Sequence, residues 1–154
     1  MSADTDGYTL LFDVWVVASS TRALLDRALR ASGLSAEEFA LYSAIRRDGG
    51  ITPTELASVM ALPPTTVSSA VTRLERRGHV RRAANPADAR SYRIELTAAG
   101  QAAHTAAAAL FAPVLARVEA ALSLPPADAR AVLAAVNDAV LSATSAQESP
   151  PGLP

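Results

Sequence analysis

The tightest constraint on this chain lies between Thr52 and Gly100, where signals that start and stop helices follow one another within a few residues. Thr52-Pro53-Thr54-Glu55 is a helix start, with Thr52 as N-cap, Pro53 at the first helical position and Glu55 closing a capping box. That helix can run only to about Ala61, because Leu62-Pro63-Pro64 breaks it. A second helix is predicted to begin at Thr65 or Thr66. Val67, Ala70, Val71 and Leu74 recur in it at helical spacing, and Gly78 stops it. Two short helices joined by a tight turn, the second with hydroxyls and arginines on its outer face, read as a helix-turn-helix.

Beyond Gly78 the period changes. Val80 to Ala83 reads as a short strand, Asn85-Pro86-Ala87-Asp88 as a turn, and Ser91 to Leu96 as a return strand. Tyr92, Ile94 and Leu96 alternate there with Ser91, Arg93 and Glu95, as in a half-buried strand. Ile51 is expected to add a minimal strand beside this hairpin. A helix-turn-helix followed by such a hairpin is a winged helix, whose second helix suits a major groove while the wing reaches backbone or minor groove.

Charge agrees with that placement. The chain has no lysine, and from Arg73 to Glu95 seven arginines stand against three carboxylates, a net +4. The remainder sets seven arginines against twelve carboxylates, a net −5. A near-neutral total thus conceals a polarised molecule, the electrostatic footprint of a phosphate-binding surface.

Three stretches carry a resemblance to a known family. Ile51-Thr52-Pro53-Thr54-Glu55-Leu56-Ala57 is one, and Arg73-Leu74-Glu75-Arg76-Arg77-Gly78-His79-Val80 is the second. The third is Asn85-Pro86-Ala87-Asp88-Ala89-Arg90-Ser91 running on to Leu96-Thr97-Ala98-Ala99-Gly100. The chain resembles the MarR family, the multiple-antibiotic-resistance-type winged-helix regulators, without gaps from Ser35 to Gly100. The resemblance implies that Arg90 at the wing tip enters the minor groove and that Asp88 braces the wing. Many relatives carry a second basic residue where this chain has Ala89, and an arginine or lysine where it has Ser69. Fewer direct DNA contacts are therefore expected here.

The flanks read as helices. Tyr8 to Ala31 is one long predicted helix ended by Gly33, and Leu10, Leu11, Phe12, Val14, Trp15, Val16 and Val17 make its first half apolar nearly all round. Such a helix must be covered on more than one side, most simply by a second subunit. Ser35 and Glu38 form a capping box for the next helix, in which Phe39, Tyr42 and Ile45 take core spacing up to Gly49-Gly50. Thr97 looks like the N-cap of an alanine-rich helix, within which Pro113 is expected to act as a kink or an end. Pro125-Pro126 starts a last helix with an apolar stripe of Val132, Leu133, Val136, Val140 and Leu141, and from Ser142 the sequence reads as a frayed tail.

The predicted architecture is therefore mainly α with a small β-wing. Residues 35–97 form a winged helix-turn-helix, and residues 8–34 and 98–146 form one compact helical dimerisation unit. Residues 147–154 are a disordered tail. Relatives interlock such helices across a two-fold axis, which by resemblance implies a homodimer on a pseudo-palindromic operator of double-stranded DNA.

Other chemistries find little support. With no cysteine, disulfides, thiol sensing and thiolate metal sites are excluded. His79 and His104 lie far apart and suit structural roles, so no metal or other cofactor is expected. No nucleophile elbow, phosphate-cradling glycine loop or P-loop lysine is present, so an enzyme is not expected. The N-terminus is acidic and the apolar run from Leu10 to Ala18 is interrupted by Asp13 and too short for a bilayer, so no membrane association and a cytoplasmic location are expected.

The candidate DNA-facing residues are Thr65, Thr66, Ser68, Ser69 and Thr72 toward bases or nearby phosphates, and Arg73, Arg76 and Arg77 mostly toward phosphate. Asp88 and Arg90 join them in the wing. The resemblance further implies a cleft for small aromatic or phenolic anions that release DNA. Phe12, Trp15, Phe39, Tyr42, His104 and Phe111 are candidates to line it, with Arg22 and Arg46 to meet a carboxylate or phenolate. The function expected is a dimeric transcriptional regulator, a repressor released by such a ligand. A DNA-binding regulator without an effector and a winged-helix protein–protein module are the alternatives.

Overall fold

Thr9 caps the first helix, its hydroxyl accepting from the Phe12 N–H at 3.3 Å. The computed structural model describes residues 8–47 and 49–148, and in it α1 (Leu10–Leu29) passes into a single 3-10 turn (Arg30–Ser32). The α-helix thus ends two residues before the expected Ala31, and Gly33 makes the reversal at φ 72°. Ser35 and Glu38 form both arms of the expected capping box at the start of α2 (Ala36–Arg47), at 3.1 and 3.3 Å. Asp26 of α1 supplies an additional cap, accepting from the Ala36 N–H at 2.7 Å.

The Thr52–Glu55 capping box opens α3 (Pro53–Met60), which ends on Ala61 in the left-handed region. Helix α4 (Pro64–Arg76) begins one residue before the expected threonines. Pro64 fits the first helical position because its missing N–H has no partner there in any case. Its end is a Schellman motif: the Gly78 N–H bonds to the Glu75 carbonyl at 2.8 Å and the His79 N–H to the Leu74 carbonyl at 3.0 Å.

Strands β1 (Val80–Ala84) and β2 (Tyr92–Leu96) pair antiparallel, with Val80 opposite Leu96 and Ala84 opposite Tyr92. The return strand starts at Tyr92, one residue later than expected, because Ser91 belongs to the turn. Ile51 makes the expected bridge to Ile94, with N–H···O distances of 3.0 and 2.7 Å. Thr97 then caps α5 (Ala98–Ala121) through the Gly100 N–H at 3.1 Å. Pro113 does not end α5, since the alanines and leucines around it favour helix.

Leu29, Leu41, Tyr42, Ile45, Leu56, Val67, Val71, Leu74 and Ile94 are fully buried in one core shared by α1 to α4, the hairpin and α5. Each large aliphatic side chain removed from water there contributes about 1.5–3 kcal/mol. The chain divides into two compact units, Met1–Pro113 and Val114–Pro154, so α1 and the first part of α5 belong with the winged helix. They do so because α1 packs on α2 and because Ala107 joins the core with Phe111 packed against it.

In the second unit α6 (Pro126–Glu148) extends through the segment expected to fray. Alanines favour helix there, and the Thr144 and Ser145 hydroxyls bond back to the Val140 and Leu141 carbonyls at 3.0 and 3.1 Å. The rest of the expected tail, 149–154, lies outside the described residues. Among the described residues no single helix is long and apolar enough to cross a membrane.

Candidate nucleic-acid interface

Helix α4 divides cleanly by face. Val67, Ala70, Val71 and Leu74 are buried against the core, while Thr65, Thr66, Ser68, Ser69, Thr72, Arg73 and Arg76 are exposed. The apolar residues hold the helix down, and the turn at Ala61-Leu62-Pro63 leaves its opposite face toward solvent. Two of the hydroxyls are bonded back to the helix, Ser69 to the Thr65 carbonyl at 3.0 Å and Thr72 to the Ser68 carbonyl at 2.9 Å. They keep lone pairs for a donor but no longer a proton to give. Thr65, Thr66 and Ser68 are the hydroxyls without such a bond.

The arginines are less available than their number suggests. Arg77 donates to Glu38 Oε1 at 2.8 Å, and Arg73 Nε lies 3.5 Å from the same oxygen. Arg81 pairs with its cross-strand partner Glu95 at 2.5 Å. Arg82 makes a bidentate pair with Glu75 at 2.9 and 3.0 Å and stacks 4.6 Å from the Tyr92 ring centre. The Arg93 guanidinium donates to the Gly50 carbonyl. Arg76 and Arg90 are the two arginines of this segment with no side-chain partner among the described residues. The net +4 of the sequence counts Glu75 and Glu95 without showing which arginines they hold, and it leaves out Glu38, which lies outside the segment yet pairs with Arg77.

The wing turn is locked by its own side chains. Asn85 Oδ1 accepts from the Ala87 N–H at 3.1 Å, and Asp88 Oδ1 from the Arg90 N–H at 2.9 Å. Asn85 Nδ2 donates to the Ser91 hydroxyl at 2.6 Å. Asp88 therefore braces the backbone that carries Arg90, and Arg90 itself is exposed at the tip.

The eight candidate ligand residues do not converge on one cleft. Phe12 and Trp15 sit on the bare face of α1 with ring centres 6.3 Å apart. Trp15 and Arg22 line an open groove of 530 Å³ with Ala18, Ser19, Ala23 and Asp26. Phe39, Arg46, His104 and Phe111 form a second, packed cluster: the His104 ring stacks on Phe39 at 5.2 Å, and Phe111 lies 5.4 Å from Phe39. His104 accepts from Arg46 Nη1 at 3.2 Å on Nδ1, which places its proton on Nε2 toward the Ser43 hydroxyl at 3.1 Å. Burial, and then the nearby Arg46, hold its pKa below the ordinary 6.5. Tyr42 is fully buried with its hydroxyl on His79, so its polar tip is already used. No group of carboxylates and histidines suited to a metal occurs among the described residues.

Comparison with known proteins gives this geometry its context. The MarR family model matches residues 32–91. Transcriptional regulator MosR of M. tuberculosis in complex with DNA superimposes with a TM-score of 0.76 at 32% identity, covering 88% of this chain and 98% of that one. The chain belongs to the MarR family. MarR from E. coli in its apo form matches at 27% identity and a TM-score of 0.67, covering 87% of this chain and 98% of that one. The transcriptional regulator PecS of Dickeya dadantii is 35% identical over 79 residues, 49% of this chain and 48% of PecS. The chain thus spans about half the length of that curated relative. The relatives it matches are transcriptional regulators, and one of them is solved in complex with DNA.

Proposed function

We propose that the protein is a homodimeric repressor that acts in the cytoplasm on a pseudo-palindromic operator and is released from it by a small aromatic or phenolic anion. The observation that carries the DNA half is the exposed face of α4, bearing Thr65, Thr66, Ser68 and Arg76, on the same winged helix as the exposed, braced Arg90. Short hydroxyls make adaptable contacts to bases and phosphates, Arg76 anchors phosphate, and Arg90 reads groove width. A dimer is supported by the uncovered apolar residues of α1, namely Leu10, Leu11, Phe12, Trp15 and Val17. In the second unit Leu115, Val118, Leu122, Val132, Leu133 and Leu141 are likewise exposed. Such a surplus fits a subunit interface far better than solvent.

For the effector, the groove at Trp15 and Arg22 offers an aromatic surface beside a cation. A ligand there releases DNA only if it prefers a conformation with wrongly spaced recognition helices, so the coupling is reciprocal. Titration of salicylate-like and phenolic acids, followed by emission of the single tryptophan and by DNA affinity together, tests this. The expected result is quenching or enhancement of Trp15 with a loss of DNA affinity of about 5–150-fold, mirrored by weaker ligand binding on saturating DNA. A broad panel that changes neither signal contradicts it. A regulator without an effector is the second reading, favoured by the dispersal of the candidate ligand residues over separate clusters.

A further inference from the structure

Glu38 is the only buried carboxylate among the described residues. Its Oε2 accepts from the Ser35 N–H at 3.3 Å, which completes the α2 cap, and its Oε1 takes Arg77 at 2.8 Å with Arg73 at 3.5 Å. The two arginines lie one turn apart on the C-terminal end of α4 and its cap, on the helix whose exposed face is proposed above to meet DNA. Both arms of the carboxylate are therefore committed, one to the backbone of α2 and one to the recognition helix.

We propose that Glu38 is a specificity-positioning residue: it withholds Arg77, and part of Arg73, from phosphate and so raises the ratio of sequence-specific to non-specific DNA binding. The inference rests on the DNA-binding reading above. Non-specific affinity comes almost entirely from arginine–phosphate contacts and the counterions they release. A phosphate that drew Arg77 away would strip a buried carboxylate of its closest counter-charge, which the low-dielectric surroundings penalise heavily. Arg76, exposed and without an ion pair among the described residues, carries no such restraint. The helix thus offers one unencumbered guanidinium beside its hydroxyls. Base-reading contacts are untouched by the pairing, while the sequence-blind part of the affinity is trimmed. The same pairing fixes the outer end of α4 on α2, so the hydroxyl face is presented in one orientation.

The test compares Glu38→Gln, Arg77→Gln and Arg76→Gln by fluorescence anisotropy across a salt series. The probes are a mixed-sequence duplex and a duplex selected from a random pool by the wild-type protein. Glu38→Gln keeps an acceptor for the Ser35 N–H and removes the charge. It is expected to steepen the slope of log affinity against log salt by about 0.9 for each arginine released, to tighten binding to the mixed duplex and to narrow the gap between the probes. Arg77→Gln is expected to keep the wild-type slope, while Arg76→Gln flattens it by about 0.9 for each phosphate no longer neutralised. An unchanged slope in a folded Glu38→Gln, or a slope lowered as much by Arg77→Gln as by Arg76→Gln, overturns the proposal. Should Glu38→Gln fail to fold, the two arginine variants decide alone. Wild-type protein with no salt-dependent affinity for either duplex would instead contradict the DNA-binding reading.

Discussion

The Tyr42 hydroxyl lies 2.7 Å from Nδ1 of His79, joining the middle of α2 to the residue two past the C-cap of α4. The His79 carbonyl in turn accepts from the Thr97 N–H at 3.0 Å, and the Thr97 hydroxyl donates to the Gly78 carbonyl at 2.6 Å. One joint therefore ties α2, the end of α4 and the start of α5.

Tyr42→Phe removes the hydroxyl without changing the ring, and is expected to lower stability by about 0.5–1.5 kcal/mol in urea unfolding. Burial, and then the charge of Glu38, push the Tyr42 pKa above the ordinary 10.0. The folded state then holds that proton longer than the unfolded state. Its contribution is full below pH 10.0 and is lost as pH rises from there through the raised folded value. The phenylalanine variant should lack this part of the alkaline decline.

Gly100 marks the close approach at the same joint. A Cβ there would stand 2.0 Å from the His79 carbonyl oxygen, a backbone atom that cannot swing aside. Gly100→Ala is expected to cost about 3 kcal/mol or more. Gly33→Ala, with open space around it and only its positive φ to strain, should cost about 1–2 kcal/mol. Thermal or urea unfolding of the two variants checks the order.

His104 is buried as the neutral base, so the folded state resists its protonation. Its contribution is full above pH 6.5 and declines as pH falls from there through the lowered folded value. His104→Gln should flatten the acid side of the stability profile, read as the urea midpoint at about pH 8 and about pH 5. Equal acid sensitivity in wild type and variant would contradict the assignment.

The parts of this fold that are legible in the sequence are those determined within a few residues. The Thr52–Glu55 and Ser35–Glu38 boxes, the Gly78 stop and the alternation of Tyr92, Ile94 and Leu96 all depend on near neighbours, and all are present. What escapes depends on groups far apart in the chain. Glu38 reads locally as a cap, yet its other oxygen meets Arg77 from 39 positions away. Tyr42 suits a ligand cleft until His79 claims its hydroxyl, 37 positions on. The helical span from Ser142 to Glu148 escapes for another reason: small polar residues read as tail, although two of them cap carbonyls of their own helix.

At the wing, Arg90→Ala should weaken DNA binding by about 1–3 kcal/mol, with a larger loss at A·T-rich flanks. Asp88→Ala should weaken it less, because it only frees the Arg90 N–H from its 2.9 Å brace. Affinity measured on duplexes with A·T- and G·C-rich flanks checks both, and wild-type affinity in Arg90→Ala would remove the minor-groove role.

The most direct measurement of the account is the dependence of DNA affinity on half-site spacing. In the proposed dimer two α4 helices related by a two-fold axis are expected to meet successive major grooves, so half-site centres should lie about 10 bp apart, or about 34–36 Å. Inserting about 5 bp between them turns one half-site to the far face of the duplex. This half-turn insertion is expected to abolish tight binding. Undiminished affinity after the half-turn insertion, or a stable folded monomer at micromolar concentration that binds a single half-site equally well, would contradict it.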